Sequence, residues 1–315
     1  MKNIIFTVFT LISSILLAQC PREELMAMMG IAKSVKEELI ANFWTEWMDV
    51  PMMTLLIDND FEYALNTDTS DTSFHFTCDN LLSRPTSFNK SFLATFPLLE
   101  NKPTIVVGTP ENTGKSPIDW TVTLLHEHFH QLQFSKPNYF SAQKALNLDK
   151  GDQTGMWMLN HPFPYEDDQV NSQIKVMALN LLSEDSIGAH IILEKHKDLK
   201  QKLKSKIGDE HYRYLNLQLW QEGFARYIEM ELVTEWIENF DQIDQDRFRL
   251  EEIQNLKENQ NEEITYHLIK SSPKELKRIY FYALGAAEAR LINRVNPEWK
   301  SHYFDQLFTT DHLLR

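Results

Sequence analysis

Apolar side chains recur at three- and four-residue steps along much of this 315-residue chain, the spacing that places them on one face of an α-helix. The first such run extends from Glu23 to about Trp47. Beyond Pro117 nearly every segment repeats the pattern, over residues 117–133, 169–182, 187–203, 210–240, 247–256, 273–295 and 299–308. The C-terminal region is therefore predicted to be almost wholly helical.

Short runs of apolar and β-branched residues interrupt the helical pattern in the N-terminal region. Pro, Gly, Asn or Asp bound each of them, which is typical of strands: Met52–Ile57, Phe74–Thr77 and Thr104–Val107. The predicted fold class is therefore α+β, as a single domain over residues 19–315. A helix and a small sheet over residues 21–115 are expected to pack against a mainly helical region over residues 116–315.

Two segments of the C-terminal region are expected at the surface. Residues 138–168 are rich in Asn, Asp, Gly and Pro, a composition typical of a loop or an insertion. Residues 195–209 are densely charged and are interpreted as the solvated face of a helix.

The N-terminus has the features of an export signal over residues 1–18. Lys2 provides a basic start, Ile4–Leu17 an apolar stretch and Ala18 a small residue at the cleavage site. A buried first helix is the alternative interpretation. The stretch is too short for a membrane span and no other stretch of spanning length follows, so the protein is expected to be exported, to the periplasm or the medium, without a membrane span.

The chain has two cysteines, Cys20 and Cys78. Residues 17–20 resemble a lipoprotein box, which makes a lipid anchor at Cys20 an alternative, but Gln19 stands where that box has a small residue. In an oxidising compartment the two cysteines can instead form one disulfide. Neither cysteine has the spacing of a metal site or of a thiol nucleophile.

Acidic residues outnumber basic ones by 45 to 31, which gives a formal net charge of −14. A surface with this surplus does not attract phosphate, so the composition argues against nucleic acid as a partner. The oligomeric state stays open at this stage.

The candidate chemistry lies in a helix that begins after Ser116, where a Ser cap precedes Pro117 at the first helical position. Ten residues later the helix carries His126 and His130, which at this spacing share one face about 5–6 Å apart and can bind one zinc ion. Glu127 lies about 100° further round, beside the metal, where it can accept a proton from water.

A catalytic zinc needs a third protein ligand. Gln133 and Lys136 stand where the metzincin pattern requires Gly and His, so that pattern is excluded. The other common zinc-site pattern takes a Glu from a later helix, often followed by Gly and a small residue. Glu222 fits this pattern and is the predicted ligand, and the small residues Gly223 and Ala225 let its helix approach the first one closely. Glu229 and Glu210 are the substitutes for Glu222. Arg226 and Glu229 are expected either to orient the ligands or to form a surface ion pair.

The other histidines receive a structural interpretation. His128 points away from the His126 and His130 face and is expected to be a packed or hydrogen-bonded core residue. The same interpretation covers His75, His161 and His211.

With His126, Glu127, His130 and the Glu222-Gly-Phe-Ala-Arg-Tyr run, the chain resembles the gluzincin-type zinc metallopeptidases, which include thermolysin-like and peptidase-MA-like proteins. A weaker similarity is Tyr282-Ala-Leu-Gly on a later helix. The resemblance covers about a third of the chain and implies hydrolysis of peptide bonds, with Glu127 as general base and a peptide or protein as substrate. Tyr282 is the predicted donor to the oxyanion, ahead of Tyr280 and Tyr227.

The resemblance also assigns a substrate-binding edge to the strand Thr104–Val107, which is expected to border the zinc cleft. The following residues 108–112 are similar to an exopeptidase motif whose Glu binds a substrate amine, although a simple turn explains them better. Two other functions stay open. A helical di-iron protein would need a second Glu-x-x-His pair besides residues 127–130, and a non-catalytic exported protein would hold a structural zinc.

Overall fold

The computed structural model describes residues 20–40, 43–77, 81–152, 155–183, 188–243 and 246–315. The predicted export signal, residues 1–18, lies outside the described residues. Cys20 is disulfide-bonded, and Cys78, the other cysteine of the sequence, also lies outside them. Among the described helices, none combines the length and the apolar character that crossing a membrane requires.

The N-terminal half contains a mixed six-stranded sheet with the strand order β3-β4-β2-β1-β6-β5. β1 and β6 run parallel, and the other neighbours are antiparallel. β5 is thus an edge strand of the described sheet. The strands are β1 Thr54–Asp58, β2 Phe61–Leu65, β3 His75–Phe76, β4 Leu82–Pro85, β5 Leu93–Pro97 and β6 Pro103–Gly108.

Both faces of the central strands are apolar, because alternate side chains of β1 and β6 point to opposite sides. Leu56 and Val107 belong to the large core that the sheet shares with the helices. Leu55 and Val106 belong to a smaller cluster on the other face, which Phe88, Phe92 and Phe96 help to cover. The sheet is therefore a buried layer, and the helices lie on one side of it.

Helices make up most of the remaining chain. They are α1 Glu23–Val35, α2 Thr45–Met48, α3 Pro110–Thr113, α4 Pro117–Phe134, α5 Tyr139–Ala145, α6 Trp157–Asn160, α7 Asp168–Leu182, α8 Ala189–Gln218 with a break at Gly208, α9 Phe224–Glu238, α10 Leu250–Lys270, α11 Pro273–Leu276, α12 Ile279–Val295 and α13 Trp299–His302. The π-helical turn Lys36–Ile40 follows α1. A second π-helical turn, Leu219–Gly223, joins α8 to α9. The predicted α+β class is confirmed.

Aromatic side chains fix the helices around α4. Trp220 and Tyr303 stack with their ring centroids 4.8 Å apart, and Trp44 packs between Phe129 and Trp299. Rings of this size contribute large buried apolar areas. They hold α4, the π turn before α9 and the C-terminal segment in one block, which positions the side chains described below.

The predicted strands and helices are present, but three strands and several boundaries were missed. β2, β4 and β5 are absent from the prediction, and α10 continues to Lys270 instead of ending near residue 256. Residues 138–168 are not simply a surface loop: they include α5 and α6 and bury Tyr139 and Phe163. In the segment predicted to be a solvated face, Lys200 is buried because Glu288 pairs with it.

Candidate metal centre

A cavity of about 530 Å³ lies between α4, the edge strand β5 and the helices α9, α10 and α12. One face of α4 forms its floor. Ser116 caps this helix by accepting a hydrogen bond from the Asp119 backbone N–H, at 3.2 Å, and Pro117 occupies the first helical position. The side chains that α4 directs into the cavity are Asp119, Thr123, His126, Glu127, His130 and Phe134.

His126, His130 and Glu222 converge in this cavity. The Glu222 Oε2 atom lies 3.5 Å from the His130 Nε2 atom and 4.0 Å from the His126 Nε2 atom, and one ligand atom from each residue lies within 4.8 Å of the others. Donors of one tetrahedral zinc, at about 2.0–2.2 Å each, stand roughly 3.3–3.5 Å apart. The three side chains are therefore close enough to bind one metal ion.

Gln133 fixes the tautomer of His130. Its Nε2 atom lies 3.1 Å from the Gln221 carbonyl oxygen, which can only accept, so Nε2 is the donor. The Oε1 atom of Gln133 must then accept from His130 Nδ1, at 2.7 Å. A neutral His130 consequently has its lone pair on Nε2, the atom that faces Glu222.

Glu229 fixes the tautomer of His126 in the same way, through the His126 Nδ1 atom. Its Oε2 atom accepts from His126 Nδ1 at 3.0 Å, while its Oε1 atom accepts from Arg226 at 2.7 Å and from Gln260 at 2.8 Å. Burial tends to raise the pKa of Glu229, but the Arg226 guanidinium and His126, with a smaller contribution from Lys115, together outweigh it and bring that pKa to about 2. Arg226 and Glu229 therefore orient a ligand, and the surface ion pair is excluded because Glu229 is buried.

Glu222 lies on the π-helical turn Leu219–Gly223, a local irregularity that often re-aims a side chain at functional sites. Burial acts to raise its pKa, but the facing His130 lowers that pKa well below its usual range. Burial conversely tends to lower the pKa of His130, and Glu222 raises it. The pair thus favours a protonated His130 beside an ionised Glu222, and a metal ion has to displace that proton when it binds.

Gly223 or Ala225 was predicted to lie where the Glu222 helix meets the histidine helix; α9, which carries Ala225, does pack against α4, but Gly223 makes its close contact elsewhere. Its contact partner is Gly285 of α12: a Cβ built on Gly223 would lie 2.4 Å from the Gly285 Cα atom. The small residue serves a close helix approach, as expected, but to a different helix. This contact sets Tyr282, one turn before Gly285, beside Glu222.

Thr95 on the edge strand β5 orients Glu127. The Thr95 hydroxyl lies 2.8 Å from Glu127 Oε2 and 3.0 Å from the Glu127 backbone oxygen. Because a hydroxyl has a single proton, it donates to one of these oxygens at a time. When the hydroxyl donates to Oε2, this oxygen of the Glu127 carboxylate is held against the sheet.

Tyr282 lines the cavity between Glu222 and Arg278. Arg278 donates to the Tyr282 hydroxyl. Burial raises the pKa of Tyr282, and the Glu222 carboxylate raises it further, so the hydroxyl keeps its proton at neutral pH. The two alternatives point elsewhere: Tyr280 donates to the Leu268 carbonyl oxygen, and Tyr227 interacts with Glu231.

β5, not the predicted strand Thr104–Val107, borders the cavity. The latter residues belong to β6, which lies inside the sheet between β1 and β5. Leu93, Ala94 and Thr95 of β5 line the cavity instead. Glu111 of the exopeptidase-like segment pairs with Arg22 at 3.0 Å and belongs to the short capped helix α3, which agrees with the preferred turn interpretation.

The remaining candidates lie away from the cluster. His128 is fully buried and its Nδ1 atom lies 2.8 Å from Gln131 Oε1, so its predicted core role is confirmed. His161 and His211 contact each other at 3.1 Å. His75 is exposed on β3, because that two-residue strand has no cover, and its predicted core role is wrong. Glu210, a substitute ligand, pairs with Lys150 at 2.9 Å.

Sequence reasoning missed the supporting residues Thr95, Gln133, Gln260 and Arg278. Gln133 had a local signal, since it follows His130 by three residues on the same helix. The others contact the site only through the fold. Models of known protein families, curated proteins and solved structures were each compared with this chain, and none of them matches it.

Proposed function

We propose that this protein is an exported zinc metallopeptidase that hydrolyses peptide bonds. The observation that carries the proposal is the convergence of His126, His130 and Glu222 beside Glu127 in an open cavity. Two nitrogens and one carboxylate oxygen form a donor set typical of catalytic zinc, and three protein ligands leave a position open. Both imidazoles have their Nδ1 atoms engaged, as metal-binding histidines usually do.

A zinc ion in this position supplies a Lewis acid, which polarises a carbonyl and lowers the pKa of water. Glu127 accepts the proton that the attacking water loses and delivers it to the leaving amine. Thr95 restrains the carboxylate during both transfers. Tyr282 keeps its proton and donates a hydrogen bond to the oxyanion that develops on the carbonyl oxygen.

The edge strand β5 provides a binding surface for an extended peptide. The Phe92 carbonyl accepts from the Gly108 N–H at 2.8 Å, so alternate residues of β5 face β6. Leu93 and Thr95 then direct their backbone N–H and C=O groups to the other side, where the described sheet has no further strand. A substrate segment can pair there and lie across the cavity.

The alternatives receive less support. A di-iron centre needs ligands for two ions, and the described residues contain one three-residue cluster of metal-binding type. A structural zinc protein has a closed coordination sphere, whereas this cluster opens into a cavity of about 530 Å³.

Two sets of variants test the proposal. Glu127→Gln should retain about one zinc per chain and lose nearly all hydrolysis of a mixed peptide library, because an amide accepts no proton. His126→Ala and Glu222→Ala should lose the zinc itself. Glu210→Ala removes an exposed carboxylate and should change neither property. Full hydrolysis by Glu127→Gln, or full zinc occupancy in His126→Ala, would overturn the proposal.

A further inference from the structure

Arg278 and Lys115 are the two cations of the cavity that have no carboxylate partner among the described residues, and only Arg278 contacts Tyr282. Among the described residues that line the cavity, three carry a full positive charge: Lys115, Arg226 and Arg278. Arg226 is committed to Glu229 and Glu263. Arg278 instead donates to the Tyr282 hydroxyl and lies 5.4 Å from the centroid of that ring. Within the described part of the chain, no carboxylate oxygen lies at ion-pair distance from it.

The position of Arg278 ties it to the metal cluster. Its guanidinium donates to the Tyr282 hydroxyl, and Arg278, Tyr282 and Glu222 line the same cavity. Apolar side chains of the cavity wall, Met158, Leu159 and Ile279, accompany Arg278. A guanidinium here also offers the planar donor fork that fits a carboxylate.

Metal binding changes the balance of charge around this guanidinium. Without an ion, the Glu222 carboxylate in the same cavity is available to balance the charge of Arg278. The two charges of a divalent ion are matched by the carboxylates of Glu222 and Glu127. The positive charge of Arg278 is then left without a counterion, next to the position where the scissile bond must lie.

We propose that Arg278 binds a substrate carboxylate, so that the protein prefers peptides with a carboxylate beside the scissile bond. This inference rests on the proposed function and narrows its substrate class. The carboxylate comes either from an acidic side chain or from the C-terminus of the peptide. A free C-terminus would make the protein a carboxypeptidase-like enzyme, and an acidic side chain would make it an endopeptidase with acidic specificity.

Two matched substrate pairs test Arg278 and separate the two sources. The first pair is one peptide with a free or an amidated C-terminus, and the second has Glu or Gln beside the scissile bond. The zinc-loaded wild type should favour the carboxylate member of one pair by about ten- to a hundredfold in kcat/KM. Arg278→Gln should bring that ratio close to one, and Arg278→Lys should restore it only in part because it lacks the fork.

Lys115→Gln removes the other cavity cation that has no carboxylate partner and should leave the ratio unchanged. A wild-type ratio near one in both pairs, a preference that survives in Arg278→Gln, or a preference lost in Lys115→Gln would each overturn the proposal. Isothermal titration calorimetry of zinc-loaded Glu127→Gln with the same peptides gives a readout without turnover, and the carboxylate members should bind more tightly. Hydrolysis of the neutral peptides at a ratio of one would reject Arg278 as the anchor while the proposed function stands. No hydrolysis of any peptide would reject the function, and the calorimetry would then decide on Arg278.

Discussion

The backbones of Gly223 and Gly285 touch each other, and this contact connects Glu222, the candidate metal ligand, to the neighbouring Tyr282 hydroxyl. A Cβ on Gly285 would lie 2.7 Å from the Gly223 Cα atom and 2.9 Å from the Leu219 carbonyl oxygen. Glu222 immediately precedes one glycine, and Tyr282 lies one helical turn before the other. Their separation therefore depends on a helix approach that only glycine permits on both sides.

Gly285→Ala should separate α12 from the π turn and displace Glu222. Insertion of a methyl group into a backbone contact typically lowers the free energy of unfolding by about 1–3 kcal/mol. Zinc affinity should fall as well, because the carboxylate moves away from the two imidazoles. Chemical denaturation and a competitive zinc titration measure the two effects.

Gly30→Ala is the matched control for this substitution. Gly30 lies inside α1, and a Cβ there would meet nothing within 4 Å. Alanine should stabilise the protein by about 0.5–1 kcal/mol through its better helix propensity. If Gly285→Ala lowered neither the free energy of unfolding nor the zinc affinity, like Gly30→Ala, the glycine contact would not be what holds the site in place.

The local half of the site could be predicted from the sequence. Ser116 and Pro117 mark the start of α4, and helical geometry then places His126 and His130 on one face. Glu222 was assigned by its resemblance to a known pattern, because no local rule connects residues 96 positions apart. The small residue beside it indicated a close helix contact but not which helix would supply it.

The edge of the cavity could not be predicted, for a physical reason. β5 is five residues long and includes Ala94 and Pro97, and Pro is tolerated in a strand mainly at a sheet edge. The strand pattern of β5 is weak, so the substrate-binding edge was assigned to the stronger apolar run Thr104–Val107. Contacts such as Thr95 with Glu127 arise only when the sheet is assembled.

Glu229→Gln should weaken zinc binding without removal of a ligand. The amide loses the charge that fixes the His126 tautomer and balances Arg226, and substitutions behind metal ligands typically cost about 10–100-fold in affinity. Glu263→Gln is the control, because Glu263 also pairs with Arg226 but is exposed and does not contact a ligand. Equal zinc affinities of the two variants, measured by competition with a chelator, would show that Glu229 has no part in metal binding.

Thr95→Val should impair catalysis while the metal stays bound. Valine keeps the branched shape but cannot donate to Glu127, so the carboxylate loses its fixed orientation. We expect kcat to fall by about 10–100-fold, since general-base catalysis contributes about 10²–10⁴-fold, with KM and zinc content nearly unchanged. Thr95→Ser retains the hydroxyl and should recover most of the rate. A serine variant as slow as the valine variant would point to packing of the strand instead of the hydrogen bond.

The last prediction concerns a buried ion pair away from the cavity. Lys200 and Glu288 are both buried, with Nζ and Oε1 3.1 Å apart, and His196 lies 2.6 Å from the other carboxylate oxygen. Burial tends to raise the pKa of Glu288, but Lys200, His196 and Thr310 together outweigh it and lower that pKa to about 2. A folded-state pKa below the unfolded value of 4.5 means that this carboxylate stabilises the fold above about pH 4.5. The contribution is lost as the pH falls towards about 2.

Glu288→Gln should therefore destabilise the protein at neutral pH, by about 1.5–3 kcal/mol, because the buried Lys200 cation loses its buried carboxylate and keeps only Asp311, at 2.8 Å, as a charged partner. The difference from the wild type should shrink as the pH is lowered from 4.5 to about 2, since the wild-type carboxylate is then protonated too. Urea denaturation at a series of pH values measures this difference directly. Glu166→Gln, at an exposed ion pair with Lys277, should show a small effect at every pH. A constant difference between Glu288→Gln and the wild type from pH 7 to pH 2.5 would mean that folding does not shift the pKa of Glu288.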